Sequence, residues 1–246
     1  MMNSFKLAKY NIKSSLKSII IYYIIFIGAL SGKKMMSQYS GVSSSTSGLE
    51  ILSVVLLFVL GLNFFRENFY FTQVNNIPRR DYFKATAMAI LAIGLTMSIL
   101  DVIINRVYNT SMENRTIYDM IYSEVSRSSS VWIQSNSIQT LFGTVTFLFA
   151  FYIAAFGVGL LTTMIYYKCN KTMKVLVSLI PLAVYGIVSR NDFELGEKIK
   201  DFIGNLLGIQ IEIRNSYMAV ITFICLFIIT MCFVYMIVRR AVVKKA

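Results

Sequence analysis

The stretch YMAVITFICLFIITMCFVYMIV, residues 217–238, contains no charged residue and decides the fold class. A helix needs about 20 apolar residues to cross the hydrocarbon core of a bilayer, so this stretch is long enough to span it. Its apolar residues form one continuous run, whereas a strand of a membrane barrel alternates apolar and polar residues. A helix also satisfies its own backbone hydrogen bonds where no water is present. The stretch therefore predicts a transmembrane helix.

Five further apolar blocks precede this one, and 56% of the chain is hydrophobic, against about 45–50% in soluble domains. A cleaved signal peptide is the competing interpretation of the first block. The leader before it and the blocks after it favour an uncleaved helix. The sequence predicts an all-α membrane protein with six spans in one domain, residues 18–246. The predicted spans are residues 18–32, 48–65, 85–104, 138–167, 175–188 and 217–238.

The charge distribution predicts the orientation of these spans. With the N-terminus in the cytoplasm, the inside segments carry 15 cations and two acids. The outside segments carry nine of each. This imbalance follows the positive-inside rule and places both termini in the cytoplasm. Most of the net charge of +12 then lies on the cytoplasmic side of the membrane. Because the positive-inside rule accounts for this charge, we expect no nucleic-acid partner.

The leader, residues 1–17, has a basic face and an apolar face at helical spacing. This pattern predicts a separate amphipathic helix in the cytoplasmic interface, held by anionic lipid headgroups. A basic extension without fixed structure is the alternative. The basic face comprises Lys6, Lys9, Lys13 and Lys17, and the apolar stripe comprises Phe5, Ala8, Ile12 and Leu16.

A second amphipathic pattern lies between the fifth and sixth predicted spans, at residues 193–207. Its apolar residues recur at steps of one, three and four, which predicts a short helix on the outer side. Residues 33–46, rich in Ser and Gly, predict a flexible external loop. The outer helix is a candidate gate, and an ordinary loop helix is the alternative. The candidate gate residues are Leu195, Ile199, Phe202 and Ile203.

The sequence offers little catalytic chemistry. It has no histidine, and its three cysteines have neither disulfide nor metal-site spacing. Residues 28–34 depart from the phosphate-binding loop in glycine spacing and lack a preceding strand, so we expect no nucleotide in this chain. Asp101 is an acid within the third predicted span and is therefore a candidate pathway residue. A hydrated carboxylate, or one paired with Arg106, is the alternative.

The segment between the second and third spans, residues 66–84, has the strongest local signal. Asn75-Asn76-Ile77-Pro78 predicts a turn. Pro78 suits the start of a helix, and Asp81 then lies in its first turn, where negative charge is favoured. A short cytoplasmic helix here could dock on a soluble partner. A basic loop that merely obeys the positive-inside rule is the alternative.

Residues 76–84, Asn-Ile-Pro-Arg-Arg-Asp-Tyr-Phe-Lys, resemble the segment before the third span in permease subunits of ABC-2-type ABC transporters. The basic pair followed by an aromatic residue matches. Asn76 and Pro78 depart from the Gly and Ser or Thr that are usual in the family. The six-span layout, the basic leader and the outer helix agree with it over nearly the whole chain.

The resemblance implies a transmembrane subunit of an ATP-driven exporter in a bacterial cell membrane. Two subunits, a homodimer or a pair with a second similar permease, would form the pathway. Separate ATPase subunits would hold ATP and Mg, so this chain needs no cofactor. The substrate would be amphipathic or hydrophobic, as in exporters of phenol-soluble modulin peptides. The implied coupling helix comprises Ile77, Pro78, Arg79, Arg80, Asp81, Tyr82 and Phe83.

Other functions fit parts of the pattern. A substrate-binding membrane subunit of a vitamin-uptake system also has about six spans. A membrane immunity protein that acts by binding alone needs no ATPase. A membrane enzyme comes last, because the sequence lacks paired catalytic residues.

Overall fold

The structure is a computed structural model, mostly helical, that describes residues 4–40, 46–110, 114–122, 135–170, 172–175, 177–179, 186, 194–209 and 214–240. Four of the described helices, α1, α3, α5 and α7, are long and apolar enough to cross a membrane. These helices indicate a membrane protein. The elements are α1 (Ser4–Ser40), β1 (Thr46–Ser47), α2 (Glu50–Val74), α3 (Arg79–Asn109), β2 (Asn114–Arg115), α4 (Ile117–Tyr122), α5 (Ile138–Lys168), α6 (Glu194–Leu206) and α7 (Ser216–Arg240).

Helix α5 lies at the centre of the bundle and packs against α2, α3 and α7. It begins after Ser137, whose Oγ accepts a hydrogen bond from the backbone N–H of Thr140 at 3.2 Å. This N-cap satisfies one of the donors that a helix start leaves free. Of the four candidate spans, α5 is the most buried.

Two glycines bring the backbones of α2 and α5 into direct contact. A Cβ on Gly159 would clash with the carbonyl oxygen of Phe58, and a Cβ on Gly61 with that of Phe156. On α5, Gly157 makes a similar close approach to Thr230 of α7. Small residues allow such close packing in membranes, where hydrophobic burial contributes little between helices.

The helix directions follow from a few contacts. Helices α1 and α3 are parallel, because Ser4 bonds to Asp81 at one end and Tyr108 donates to the carbonyl of Leu30 at the other. Helices α2 and α5 are also parallel. Phe65 packs against Tyr167, and both residues lie further along their helices than the Gly61–Gly159 contact.

Helix α7 runs parallel to α5 and antiparallel to α3. Phe223 stacks on Phe151 of α5, and seven residues later Thr230 lies against Gly157. On the α3 side, Arg79 donates to the carbonyl of Arg239 at 2.6 Å. The two ends of the described chain, Ser4 and Arg240, therefore lie at the same end of the bundle.

The leader is not a separate interfacial helix, contrary to the prediction. It is the first part of α1, a continuous helix of 37 residues, about 55 Å long at 1.5 Å per residue. Its buried side runs through Leu7, Asn11 and Ser15, while Phe5 and Leu16 of the predicted apolar stripe are exposed. The leader folds onto the bundle because its small and apolar side chains pack beside α3. All four lysines of the basic face stay exposed.

Two predicted loops are partly helical. Helix α1 continues to Ser40, so most of the predicted loop 33–46 belongs to it. Helix α2 runs to Val74, well past the predicted end of the second span at residue 65. Beyond α1, the two-residue strands β1 and β2 pair in parallel, with Thr46 opposite Asn114. Sequence hydropathy located the apolar cores, and the helices α1 and α2 extend beyond them.

Most of the fifth predicted span, residues 175–188, lies outside the described residues. Residues 172–175 and 177–179 are described as helical. Helix α6 occupies the stretch for which the sequence predicts a short amphipathic helix, and its apolar residues concentrate strongly on one side. After α6, Gly208 adopts φ +63° and turns the chain towards α7.

Substituting Gly159 by Leu is expected to lower the stability of the bundle. The new side chain would overlap the backbone of α2, and overpacking of this kind costs about 1–3 kcal/mol or more. The measurement is thermal unfolding of the purified chain in detergent. Gly28→Leu is the matched control, since no atom lies within 4 Å of a Cβ built there. Equal melting temperatures for both variants would contradict the Gly61–Gly159 contact.

Candidate functional site

The turn between α2 and α3 is short and tightly bonded. The N–H of Asn76 donates to the carbonyl of Gln73 at 3.1 Å, and the N–H of Ile77 to that of Thr72 at 2.9 Å. This pair of bonds is a Schellman motif, which caps the C-terminus of α2. Asn76 adopts φ +52°, a left-handed conformation that asparagine tolerates well. Pro78 then caps α3, which begins at Arg79.

The predicted coupling helix is therefore not a separate element. Ile77 and Pro78 belong to the turn, and Arg79 to Phe83 form the first residues of the long helix α3. Of these seven residues, Ile77 and Tyr82 are buried, while Pro78 and Arg80 are exposed. The helix start was predicted within one residue. Its continuity with the third span was missed because the basic residues there interrupt the apolar pattern.

Four residues of this segment each contact another helix: Arg79, Asp81, Tyr82 and Phe83. Asp81 accepts a hydrogen bond from Ser4 Oγ of α1 at 3.0 Å. Tyr82 packs its ring against Phe69 of α2, with ring centroids 5.5 Å apart. The segment thus joins α1 and α2 to the start of α3.

The same segment also contacts the end of α7. The Arg79 guanidinium donates to the carbonyls of Val238 and Arg239, in the last described turn of α7. Phe83 packs against Tyr235 at 5.0 Å between ring centroids. Arg79 therefore has a structural role that its sequence context did not indicate.

Between the turn and α7 lies an open cleft of about 330 Å³. Its wall carries three arginines, and Pro78 and Tyr235 supply apolar surface. Arg80 is the exposed cation of the turn. An acidic or mixed surface of another protein fits this cleft better than a neutral one. The arginines are Arg79, Arg80 and Arg239.

Asp101 lies at the opposite half of the bundle and is buried, with 4% of its surface exposed. Tyr23 of α1 donates to its Oδ1 at 2.8 Å, and Tyr152 of α5 donates to its Oδ2. Beside this site, the hydroxyls of Tyr22 and Ser53 are 2.7 Å apart and link α1 to α2. Asp101 is therefore the centre of a polar network that joins three helices directly.

Asp101 is neither hydrated at the surface nor paired with Arg106, the two alternatives raised by the sequence. The acids that act electrostatically on Arg106 are Asp119 and Glu50. The three guanidinium nitrogens of Arg106 are buried and have no hydrogen-bond partner among the residues that the structure describes. Helical geometry explains why Asp101 and Arg106 do not pair. They are five residues apart on α3, whereas side chains three or four residues apart face each other.

Two further acids, Glu50 and Asp119, are buried near this network. Glu50 Oε2 accepts from the N–H of Ile117 at 3.4 Å, and Asp119 exchanges hydrogen bonds with Thr116. These bonds fix the segment before α4 against α2. Within the described part of the chain, no group of three acidic, His or Cys side chains is placed to hold a metal ion.

The candidate gate helix α6 is anchored at its C-terminal end. Thr222 of α7 donates to the carbonyl of Leu206 at 2.7 Å, and Tyr122 of α4 donates to that of Leu207 at 2.6 Å. Burial, with a smaller effect of Tyr118, raises the pKa of Tyr122 to about 12. Its hydroxyl therefore stays protonated as a donor at neutral pH.

The predicted gate residues are mostly uncovered. Phe202 and Ile203 are exposed, Ile199 is half-buried, and the side chain of Leu195 lies outside the described part of the chain. The sequence predicted the amphipathic pattern but not the tethers from α4 and α7.

No protein-family model, curated protein or solved structure matches this chain.

Sequence reasoning missed the partners of Asp101. These partners, Tyr23 and Tyr152, come from two different helices, and the neighbouring acid Glu50 comes from a third; no local spacing relates them. Glu50 offers a weak signal, since it is an acid at the start of an apolar run. The tyrosines offer none, because the chain contains 15 of them.

Replacing Tyr152 by Phe is expected to destabilise the chain. The change removes the hydroxyl that donates to one buried carboxylate oxygen of Asp101, and losing such a bond costs about 1–3 kcal/mol. Thermal unfolding in detergent checks this, with Tyr39→Phe as the control because Tyr39 is 91% exposed. If both variants melt at the wild-type temperature, the Asp101 network does not tie α5 to α3.

Proposed function

We propose that the chain is the transmembrane subunit of an ATP-driven ABC exporter and that its α2–α3 turn receives the movement of an ATPase partner. The observation that carries this proposal is the set of contacts around Arg79–Phe83. This segment begins α3 and touches α1, α2 and α7 through Asp81, Tyr82 and Arg79. A displacement of the turn would therefore act on four helices at once.

The helix directions support six crossings. Helices α5 and α7 are parallel, so the proposal places one further crossing in the sequence between them, residues 169–215. Helix α6 is anchored beside the start of α7, so the proposed crossing precedes residue 194. A helical crossing takes about 20 residues. The predicted fifth span, residues 175–188, lies within this segment, and α2 supplies the remaining crossing.

The charge asymmetry supports an orientation with the α2–α3 turn in the cytoplasm. The basic leader, the turn, the end of α5 and the end of α7 all lie at one end of the bundle. The predicted inside segments carry 15 cations and two acids. Under the positive-inside rule this end faces the cytoplasm, where ATP is available. Both ends of the described chain then lie on the cytoplasmic side.

The chain would act with partners. No segment of this sequence carries a nucleotide-binding motif, so ATP and Mg belong to separate ATPase subunits. A homodimer, or a pair with a second similar permease, would line the pathway for an amphipathic or hydrophobic peptide. The vitamin-binding alternative has less support, because the cavity beside Asp101 measures about 10 Å³, room for one water at most.

Arg80→Glu tests the coupling role without disturbing the fold. Arg80 is exposed, whereas Arg79 donates to the backbone of α7, so we change Arg80 alone. The reversed charge is expected to lower the ATPase activity that copurifies with the tagged chain from its native membranes by at least tenfold. Loss of a charge contact at an interface costs about 2–5 kcal/mol, which supports a change of that size.

Lys9→Glu is the control, because it makes the same charge change at an exposed position of the leader. It should leave the copurifying ATPase activity at the wild-type level. An Arg80→Glu chain that keeps full activity would contradict the assignment of the turn. A wild-type chain that never copurifies with an ATPase would contradict the exporter itself and favour an immunity protein.

A further inference from the structure

Helix α6 carries exposed apolar side chains on one side and acids on the other. Phe202 and Leu206 are four residues apart and Ile203 lies beside them, so the three share one side of the helix. They are 64%, 37% and 44% exposed in this order. The opposite side carries Glu197 and Asp201, which are also exposed. Helix α6 thus leaves both an apolar and an acidic side open to its surroundings.

The C-terminal end of α6 is fixed to the first turns of α7. Thr222 donates to the carbonyl of Leu206 at 2.7 Å, and the N–H of Asn215 donates to the carbonyl of Gly208 at 3.0 Å. A Cβ on Gly208 would lie 3.0 Å from the Cβ of Met218, so the turn after α6 packs directly on α7. The end of α6 is therefore level with the first two turns of α7.

This attachment gives α6 a depth in the membrane. Helix α7 is long and apolar enough to span a bilayer, and its uncharged run begins at Tyr217. Thr222 lies five residues further along α7, which is about 7.5 Å along a helix. Helices that lie in a bilayer surface bury their apolar side by about 5–10 Å, at the boundary between headgroups and acyl chains. The attached end of α6 is level with this boundary.

The surface of α7 beside the attachment is also apolar and open. Tyr217, Met218 and Ile221 are 53%, 46% and 58% exposed. A contiguous exposed apolar patch of this kind marks a contact with a membrane or another protein, and on a spanning helix the surrounding lipid supplies that contact. Because α6 is fixed to these same turns of α7, the lipid around them also reaches α6.

We infer that α6 lies in the surface of the leaflet remote from the α2–α3 turn, with Phe202, Ile203 and Leu206 among the upper parts of the acyl chains. Glu197 and Asp201 then face water. The partner of the apolar side is phospholipid, and α6 anchors the segment before α7 to the membrane. This role differs from that of the predicted gate, whose apolar side would pack over the mouths of the spans.

Tryptophan fluorescence tests the inference in the full chain, reconstituted into phosphatidylcholine vesicles. The native Trp132 is replaced by Phe in every variant, so that each variant contains one tryptophan. Bromine atoms near the top of the acyl chains quench a tryptophan that touches them. Phe202→Trp should lose about half of its fluorescence or more when brominated lipid replaces ordinary lipid, since this side chain lies at the acyl-chain boundary. Glu197→Trp, on the opposite side of α6, should keep its fluorescence.

A second pair of variants repeats the comparison at Ile203→Trp and Asp201→Trp. All four positions are exposed, so each variant should melt at the wild-type temperature in detergent. Equal quenching on the apolar and acidic sides would overturn the inference. Strong fluorescence from all four variants in brominated lipid would also overturn it, and would place the apolar side against the bundle, as in a gate, or against a second copy of the chain.

These outcomes are separate from the exporter proposal, because the quenching measurement requires no ATPase. Failure of the membrane contact would leave the Arg80→Glu comparison untouched.

Discussion

The close packing of α5 against α2 at Gly61 and Gly159 is the contact on which the rest of the bundle depends. It brings the two backbones together and makes α5 the helix against which α3 and α7 also pack. In a bilayer, hydrophobic burial contributes little between helices, so close packing and hydrogen bonds must hold them. The bundle uses both at different depths: the glycine contact lies near its middle, and the Asp101 network lies towards the end remote from the α2–α3 turn.

The two ends of the bundle are built differently. At the basic end, Arg79, Asp81 and Tyr82 connect the start of α3 to three other helices. At the other end, Asp101 connects α3 to α1 and α5. Helix α3 carries both sets of contacts. A shift of its first turn would therefore be transmitted along one rigid element to the buried carboxylate about 20 residues, or roughly 30 Å, away.

Sequence patterns located the elements that are strongly apolar. The fourth predicted span, residues 138–167, agrees with α5 to within one residue at each end, and the sixth, residues 217–238, begins within one residue of α7. The turn at Asn75–Pro78 was also predicted, because asparagine and proline have local conformational preferences. Hydropathy could not predict that α1 is continuous from Ser4. Its leader is basic and is held by packing with α3 rather than by its own apolar content.

The candidate site was predicted less completely for the same reason. Asp101 was identified, since an acid in an apolar run is rare. Its partners Tyr23 and Tyr152 depend on which helices are neighbours and on their relative directions, and neither property is encoded in local spacing. The structural role of Arg79 likewise depends on where α7 ends.

The central claim is that energy from an ATPase partner enters at the α2–α3 turn. Photo-crosslinking in native membranes tests it most directly, with a photoreactive amino acid at position 80 and, separately, at position 110. Both residues are exposed and lie at opposite ends of α3. The account predicts an adduct with an ATP-hydrolysing subunit from position 80 and none from position 110. No such adduct from position 80, or the same adduct from both positions, would contradict it.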